Sequence, residues 1–297
     1  MTAPEDDPDA RASRLLEDRV TRVFRELPGA VAGHEEPVHL VRVAGRRLGV
    51  ALPLLAHKGG SRPVKRALKV LRKLVRTVGA GRDMDVIVGL FEDRLAELKA
   101  PSAEQRALLS RLRAARARSR SQVAEDIFDI DIDGLRRNLR RLLHVGAADA
   151  SAALARVGAL REEEGAALLR GFSQVGERYR PAELHALRRR VRRLRYAAEV
   201  EDVLRGQDSR APVLWKRLQD GIGVLHDHDV LAGWFEEQAR LAGARNNVLL
   251  ARAAQRERRA FIGLGRLLHR ALLEARPADL ALRALQAMAR GRPIGPV

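Results

Sequence analysis

Residues 38–48 read VHLVRVAGRRL, and residues 184–194 repeat the pattern as LHALRRRVRRL. A second pair of blocks follows at almost the same spacing, with LVRTVGAGRDMDV at residues 74–86 and LQDGIGVLHDHDV at residues 218–230. Two matches at nearly one offset indicate that a whole structural unit is duplicated. Positions that recur in both copies are therefore the best candidates for a shared function.

The duplication divides the chain of 297 residues into two units of ordinary domain size. We predict an N-terminal half at residues 12–145 and a C-terminal half at residues 146–297. The chain begins with the acidic, proline-containing sequence MTAPEDDPD. Such a composition buries little apolar surface, so residues 1–11 are predicted to form a disordered tail.

The repeated histidine block has the period of a helix. Its basic residues stand at positions i, i+3 and i+7, which lie on one stripe of a helical surface. They are His39, Arg42 and Arg46 in the first copy, and His185, Arg188 and Arg192, followed by Arg195, in the second. Apolar residues such as Leu184, Leu187 and Val191 keep the same spacing one position earlier. The basic stripe is therefore predicted to lie beside the core-facing stripe.

The rest of the chain also reads as helical, because it is rich in Ala, Leu, Arg and Glu and only 3% aromatic. We predict an all-α fold. The predicted helices cover roughly residues 15–27, 36–57, 62–78, 84–99, 102–126, 134–145, 147–172, 181–205, 211–222, 228–242, 245–273 and 277–290. In both copies of the second block, Gly79 and Gly223 are predicted to end one helix, and Asp83 and Asp227 to begin the next.

The charge balance points to a polyanionic partner. Lys and Arg number 56 against 38 Asp and Glu, a net charge of +18. The sequence contains no cysteine, which excludes disulfides, thiol catalysis and thiolate metal sites. No run approaches the ~20 apolar residues of a membrane span, and the acidic start is unlike a signal peptide. We therefore expect a cytoplasmic protein without a membrane-spanning segment.

A cationic row follows the first histidine block. Apolar residues from Val64 to Val78 keep helical spacing, and basic residues occupy a neighbouring face. The row consists of Lys65, Lys69, Arg72, Lys73 and Arg76. One such row is usually a solvated surface, but basic positions that recur in both halves favour a binding role. Guanidinium and ammonium groups form charge-assisted hydrogen bonds with phosphate oxygens.

The motifs His-x-x-Arg-x-x-x-Arg-Arg-Leu, Gly-x-x-Arg-Asp-x-Asp-Val and Leu-His-x-Leu-Arg-x-x-x-x-x-Leu-Arg-Tyr resemble those of the CHAD family, the conserved-histidine α-helical domain. The resemblance covers about residues 12–290. It implies two pseudo-symmetric helical bundles around a basic groove or pore that binds inorganic polyphosphate, often at polyphosphate granules. The resemblance further implies that His39, Arg42, Arg46, His185, Arg188 and Arg192 line the pore.

From the motifs and the basic row together, we predict a larger polyphosphate-binding set. Its further members are Arg47, Lys65, Lys69, Arg72, Lys73, Arg76, Arg82, Arg189, Arg193, Arg195, Lys216 and His226. Two repeat positions depart from strict duplication. Gly49 stands where the second half has Arg195, so the first helix is expected to provide fewer contacts. His226 replaces Arg82, so the second site is expected to respond to pH.

Two other functions fit parts of the sequence. The HDHD sequence at residues 226–229 could belong to a metal-dependent phosphohydrolase, but alternate residues of a helix point to opposite sides. The charge of +18 also attracts nucleic acids at low salt, but the 6 Phe, 2 Trp and 2 Tyr are few for base stacking. We predict non-catalytic polyphosphate binding with weak nonspecific nucleic-acid binding, and neither a metal nor a cofactor.

Overall fold

A computed structural model describes residues 7–290, without the side chains of Arg82 and Arg290. Apart from one isolated bridge between Ala56 and Ala147, this part of the chain consists of helices and short connections. The all-α prediction is confirmed. The helices are α1 (Pro8–Arg25), α2 (Leu27–Val31), α3 (Glu35–Leu55), α4 (Arg62–Ala96), α5 (Ala103–Phe128), α6 (Ile132–Val145), α7 (Ala150–Val175), α8 (Pro181–Arg205), α9 (Ala211–Ala244), α10 (Val248–Glu274) and α11 (Pro277–Arg290).

Helices α4 and α9 are longer than predicted, at 35 and 34 residues, because each continues through its glycine motif. The predicted ends at Gly79 and Gly223 and the predicted N-caps at Asp83 and Asp227 are therefore wrong. Neither glycine has the positive φ of a left-handed cap. An internal glycine costs a helix only about 0.5–1 kcal/mol, which the buried apolar residues on either side offset. Both aspartates consequently lie inside a helix.

The N-terminal tail is also shorter than predicted. Helix α1 begins at Pro8, and the Asp7 side chain accepts hydrogen bonds from the backbone N–H groups of Asp9 and Ala10 at 3.2 and 3.3 Å. An Asp N-cap followed by a proline in the first turn is a strong helix start. The disorder predicted for residues 1–11 is thus wrong from Pro8 onward, and residues 1–6 lie outside the described part of the chain.

The repeat is visible in which helices pack together. Helix α3 packs on α4 as α8 packs on α9, and α4 packs on α5 as α9 packs on α10. Helix α1 likewise packs on α3 as α7 packs on α8. These equivalent pairs agree with the duplicated sequence. A rotation that relates the two halves in space stays a prediction.

The two halves share their cores. The larger buried cluster joins residues of α1, α3 and α4 to residues of α7, α8, α9 and α11. The smaller one joins α4 and α5 to α9 and α10, and its centre is aromatic, with the Phe91 and Phe235 rings 4.9 Å apart and the Phe235 and Phe261 rings 5.8 Å apart. Each half therefore buries apolar surface of the other, which fixes α3 against α8.

No helix within residues 7–290 combines the length and the apolar character needed to cross a membrane.

Candidate functional site

Four arginines meet where α3 of the first half contacts α8 of the second half. Helix α3 supplies Arg42 and Arg46, and helix α8 supplies Arg188 and Arg192. Burial, reinforced by Arg42 and Arg192, lowers the pKa of Arg46 to about 9. Burial also lowers the pKa of Arg188 and of Arg192, and in both cases Arg42 adds to the effect. The cluster is therefore a concentration of positive charge with limited access to water.

Arg42 is held in place by helix α4. Its guanidinium donates hydrogen bonds to Asp83 (Nη2 to Oδ1, 2.8 Å) and to the carbonyl of Gly79 (Nη1 to O, 3.4 Å). A Cβ atom on Gly79 would lie 3.8 Å from Nε of Arg42, so the guanidinium lies at van der Waals distance from α4 at this glycine. Because α4 continues without a break through this motif, the Asp83 carboxylate lies one turn after the Gly79 carbonyl. Asp83 therefore helps to orient the Arg42 guanidinium.

Arg188 lies beside the equivalent glycine of the second half. A Cβ atom on Gly223 would lie 3.7 Å from Nη2 of Arg188. The charge of Asp227 opposes the lowering of the Arg188 pKa, and burial raises the pKa of Asp227 itself. In both halves the glycine and the aspartate are four residues apart, as Gly79 and Asp83 and as Gly223 and Asp227. This repeated spacing is the sequence pattern that could have identified the residues that position the arginines.

A cavity of about 770 Å³ opens beside the cluster, between α3, α4 and α8. Its basic lining consists of Arg42, Arg46, Arg72, Arg76, Arg192 and Arg193. Asp83 is the one acidic residue of this lining. Gly45 and Gly49 also line the cavity, so α3 places no side chain in the cavity at these two positions.

Arg46 and Arg192 both line the cavity and differ in one respect from Arg42. Among the side chains that the structure describes, neither forms an ion pair with a carboxylate, whereas Arg42 pairs with Asp83. Two half-buried guanidinium groups without counter-charge are costly, and an anion in the cavity would offset that cost. Each guanidinium can donate two parallel hydrogen bonds to one phosphate group. The arrangement is suited to binding a multiply charged anion.

A pair of histidines lies next to the arginines. Nδ1 of His185 on α8 and Nδ1 of His226 on α9 are 3.1 Å apart. Burial, together with Arg188 and His185, lowers the pKa of His226 to about 4, and burial together with Arg189 and Arg188 lowers the pKa of His185. Both imidazoles therefore resist a positive charge in the free protein. Neither lines the cavity.

The HDHD segment is split between two sides of α9. His226 faces His185 on α8, whereas Nδ1 of His228 lies 2.8 Å from the carbonyl oxygen of Val224, and the imidazole is 5.7 Å from the Phe261 ring on α10. Within the described part of the chain, no group of three or more histidine, aspartate or glutamate residues is placed to hold a metal ion.

Arg47 and Arg195 belong to a separate ion cluster. Nε of Arg47 lies 3.0 Å from Oε2 of Glu199, and Nε of Arg195 lies 3.5 Å from Oε1 of the same carboxylate. Both guanidinium groups also stand 5.7 Å from the centre of the Tyr196 ring. Arg195 does not line the cavity, but Gly49, its counterpart, does. The two helices instead contribute equally, with two lining arginines each.

The cationic row on α4 is divided. Arg72 and Arg76 line the cavity, while Lys65 and Lys69 are exposed on the same helix and do not line it. The Lys73 ammonium donates a hydrogen bond to the backbone carbonyl of Asp129 at 2.9 Å, away from the cavity. The row therefore provides two arginines to the site rather than five cations.

The remaining predicted residues lie at or beyond the edge of the site. Arg193 lines the cavity and also pairs with the buried carboxylate of Glu164. Arg189 is exposed beside His185, and Lys216 pairs on the surface with Asp220 at 2.5 Å. His39 is half-buried one turn before Arg42 and does not line the cavity. The side chain of Arg82 lies outside the described residues.

Comparison with known proteins gives a matching family model and a similar solved structure. A sequence model of the CHAD domain matches residues 14–236. The crystal structure of the CHAD domain from the plant Ricinus communis is similar, with a TM-score of 0.64 and 20% sequence identity over 97% of this chain and 94% of that chain. At this level of identity the likeness concerns the fold. No curated protein matches the sequence.

Proposed function

The chain belongs to the CHAD family, and from this premise we propose that its arginine cavity binds inorganic polyphosphate without hydrolysing it. Some members of the family bind polyphosphate. The observation that carries the proposal is the pair Arg46 and Arg192, which come from different halves and face one cavity without carboxylate partners. A chain of phosphates would supply the missing counter-charge.

The shape of the cavity favours a linear ligand. Arg72 and Arg76 are exposed one turn apart on α4, and the lining of that helix extends from Leu68 to Asp83. At a rise of 1.5 Å per residue, these 15 steps correspond to roughly 22 Å. A polyphosphate chain could therefore contact the central arginines and continue along α4 toward the exposed cations Lys65 and Lys69.

Binding without hydrolysis is proposed because the lining offers little for catalysis. The carboxylate of Asp83 is already hydrogen-bonded to Arg42. A general base must reach the water molecule that it activates, and this pairing directs the Asp83 carboxylate elsewhere. Nucleic acid would be a weaker, nonspecific ligand, attracted by the net charge of +18. In the cytoplasm, such binding would bring the protein to polyphosphate granules.

The test is the affinity of purified protein for long-chain polyphosphate at physiological salt. The variant Arg46→Gln with Arg192→Gln should bind at least about 100-fold more weakly, because two charge-assisted contacts are worth roughly 1.5–3 kcal/mol each. The matched control, Arg111→Gln with Arg118→Gln on α5, removes the same charge away from the cavity. Equal losses in the two variants would show that net charge alone attracts the polymer.

A further inference from the structure

A second, apolar cleft of about 320 Å³ lies in the second half, where α10 turns into α11 against α9. Its surface includes Gly221 and Val224 of α9 and Leu268 and Leu272 of α10. Val224 is 44% exposed. Leu268 and Leu272 are half-buried at the edge of the core. None of these residues belongs to the arginine cavity.

The corresponding residues of the first half are less accessible. Leu268 and Leu272 of α10 correspond, within one residue of the repeat offset, to Val123 and Ile127 of α5. Those two residues are buried, at 4% and 3% exposure. The second half thus leaves apolar surface open that the first half covers.

The basic residues beside these positions also differ between the two halves. Lys73 donates its hydrogen bond to Asp129 in the α5–α6 connection. Its repeat counterpart, Arg217, lies at the edge of the cleft together with Arg283 of α11. Both arginines are exposed, and among the described side chains neither has an ion pair or a hydrogen bond. An apolar cleft therefore has two uncompensated guanidinium groups at its mouth.

We propose that this cleft binds a small amphipathic anion, with an apolar chain between α9, α10 and α11 and a carboxylate between Arg217 and Arg283. The volume of about 320 Å³ is at the lower end of small-molecule sites, which begin at roughly 300 Å³. It is about twice the ~150 Å³ of an apolar cavity that takes up benzene. A medium-chain fatty carboxylate satisfies both requirements, whereas the apolar floor offers no partner to a polyphosphate chain.

The probe is decanoate, titrated into the full-length protein below its micelle concentration and followed by calorimetry. Ala271→Trp, which fills the cleft from an exposed position of α10, should abolish binding. Arg217→Gln with Arg283→Gln should weaken binding at least tenfold, and decanol should bind wild-type protein and this variant equally. The matched control, Arg252→Gln with Arg259→Gln, removes two exposed arginines from α10 outside the cleft and should change the affinity less than twofold.

Either of two results would overturn the proposal. Decanoate that binds the Ala271→Trp variant as tightly as wild type would lie elsewhere on the protein. An equal loss of affinity in both arginine double variants would show that general charge attracts the carboxylate. Cooperative urea denaturation of each variant would confirm that the variants are folded, independently of polyphosphate binding.

Discussion

Helices α3 and α8 carry the same repeat, yet α3 has glycine at two positions where α8 has a larger residue. Gly45 and Gly49 of α3 line the arginine cavity. The second half has Val191, which is fully buried, and Arg195, which pairs with Glu199, at these positions. Both helices supply arginines, so the space beside them comes from the side chains that α3 lacks. Both halves therefore contribute arginines to the cavity, whereas Gly45 and Gly49, which leave space for it, have no glycine counterpart in α8.

Replacing Gly45 by the residue of the other half should have the largest effect on stability. A Cβ atom at Gly45 would lie 2.5 Å from Cγ2 of Val75, so Gly45→Val overpacks the contact between α3 and α4. We expect a loss of about 3 kcal/mol in the free energy of unfolding, measured by urea denaturation. Gly233→Ala is the control, because a Cβ atom there meets nothing within 4 Å.

The Gly233→Ala control should gain about 0.5–1 kcal/mol in the free energy of unfolding, since alanine is favoured over glycine inside a helix. A Gly45→Val variant as stable as wild type would mean that α3 and α4 can separate easily. The close approach of α3 and α4 at Gly45 would then not determine the shape of the cavity. The difference between Gly45 and Val191 would consequently not explain why the space lies beside α3.

The second contrast, His226 against Arg82, predicts a smaller effect that depends on pH. The folded-state pKa of His226 is about 4, below the ~6.5 of an unfolded histidine. The unfolded chain therefore binds more protons between these pH values, and stability falls as the pH falls through that window. His226 should contribute a loss on the order of 2 kcal/mol between pH 6.5 and pH 4.5.

The measurement is urea denaturation of wild type and His226→Gln across this range. Comparing the two proteins removes the contributions of groups common to both, such as Asp227, whose pKa is raised and which acts in the opposite direction. The variant should lose correspondingly less stability on acidification. Identical pH profiles would show that the pair of His226 and His185 is accessible enough to accept a proton without cost.

The sequence predicts the helices and the central arginines because both leave periodic patterns. The i, i+3, i+7 spacing places Arg42 and Arg46 on one stripe, and the repetition on α8 identifies Arg188 and Arg192. The lengths of α4 and α9 could not be predicted in the same way. A glycine followed four residues later by an Asp is compatible with a helix boundary and with a helix interior, and packing on both sides decides the outcome.

The partners of each cation are less predictable, because they depend on contacts between segments that are distant in sequence. Nothing local to Arg47 or Arg195 indicates that both lie beside Glu199, or that Lys73 reaches the carbonyl of Asp129. The sequence consequently predicts too many binding residues. Tertiary contacts reduce the set to those arginines that face an open volume.

Arginines of both halves are proposed to hold one ligand, and a double-mutant cycle with tripolyphosphate tests this proposal. This anion is too short to join separate sites on the protein. If Arg46 and Arg192 contact the same molecule, the effects of Arg46→Gln and Arg192→Gln on its affinity should be coupled by about 1 kcal/mol. Effects that add within about 0.3 kcal/mol would contradict the claim and place the two arginines in independent sites.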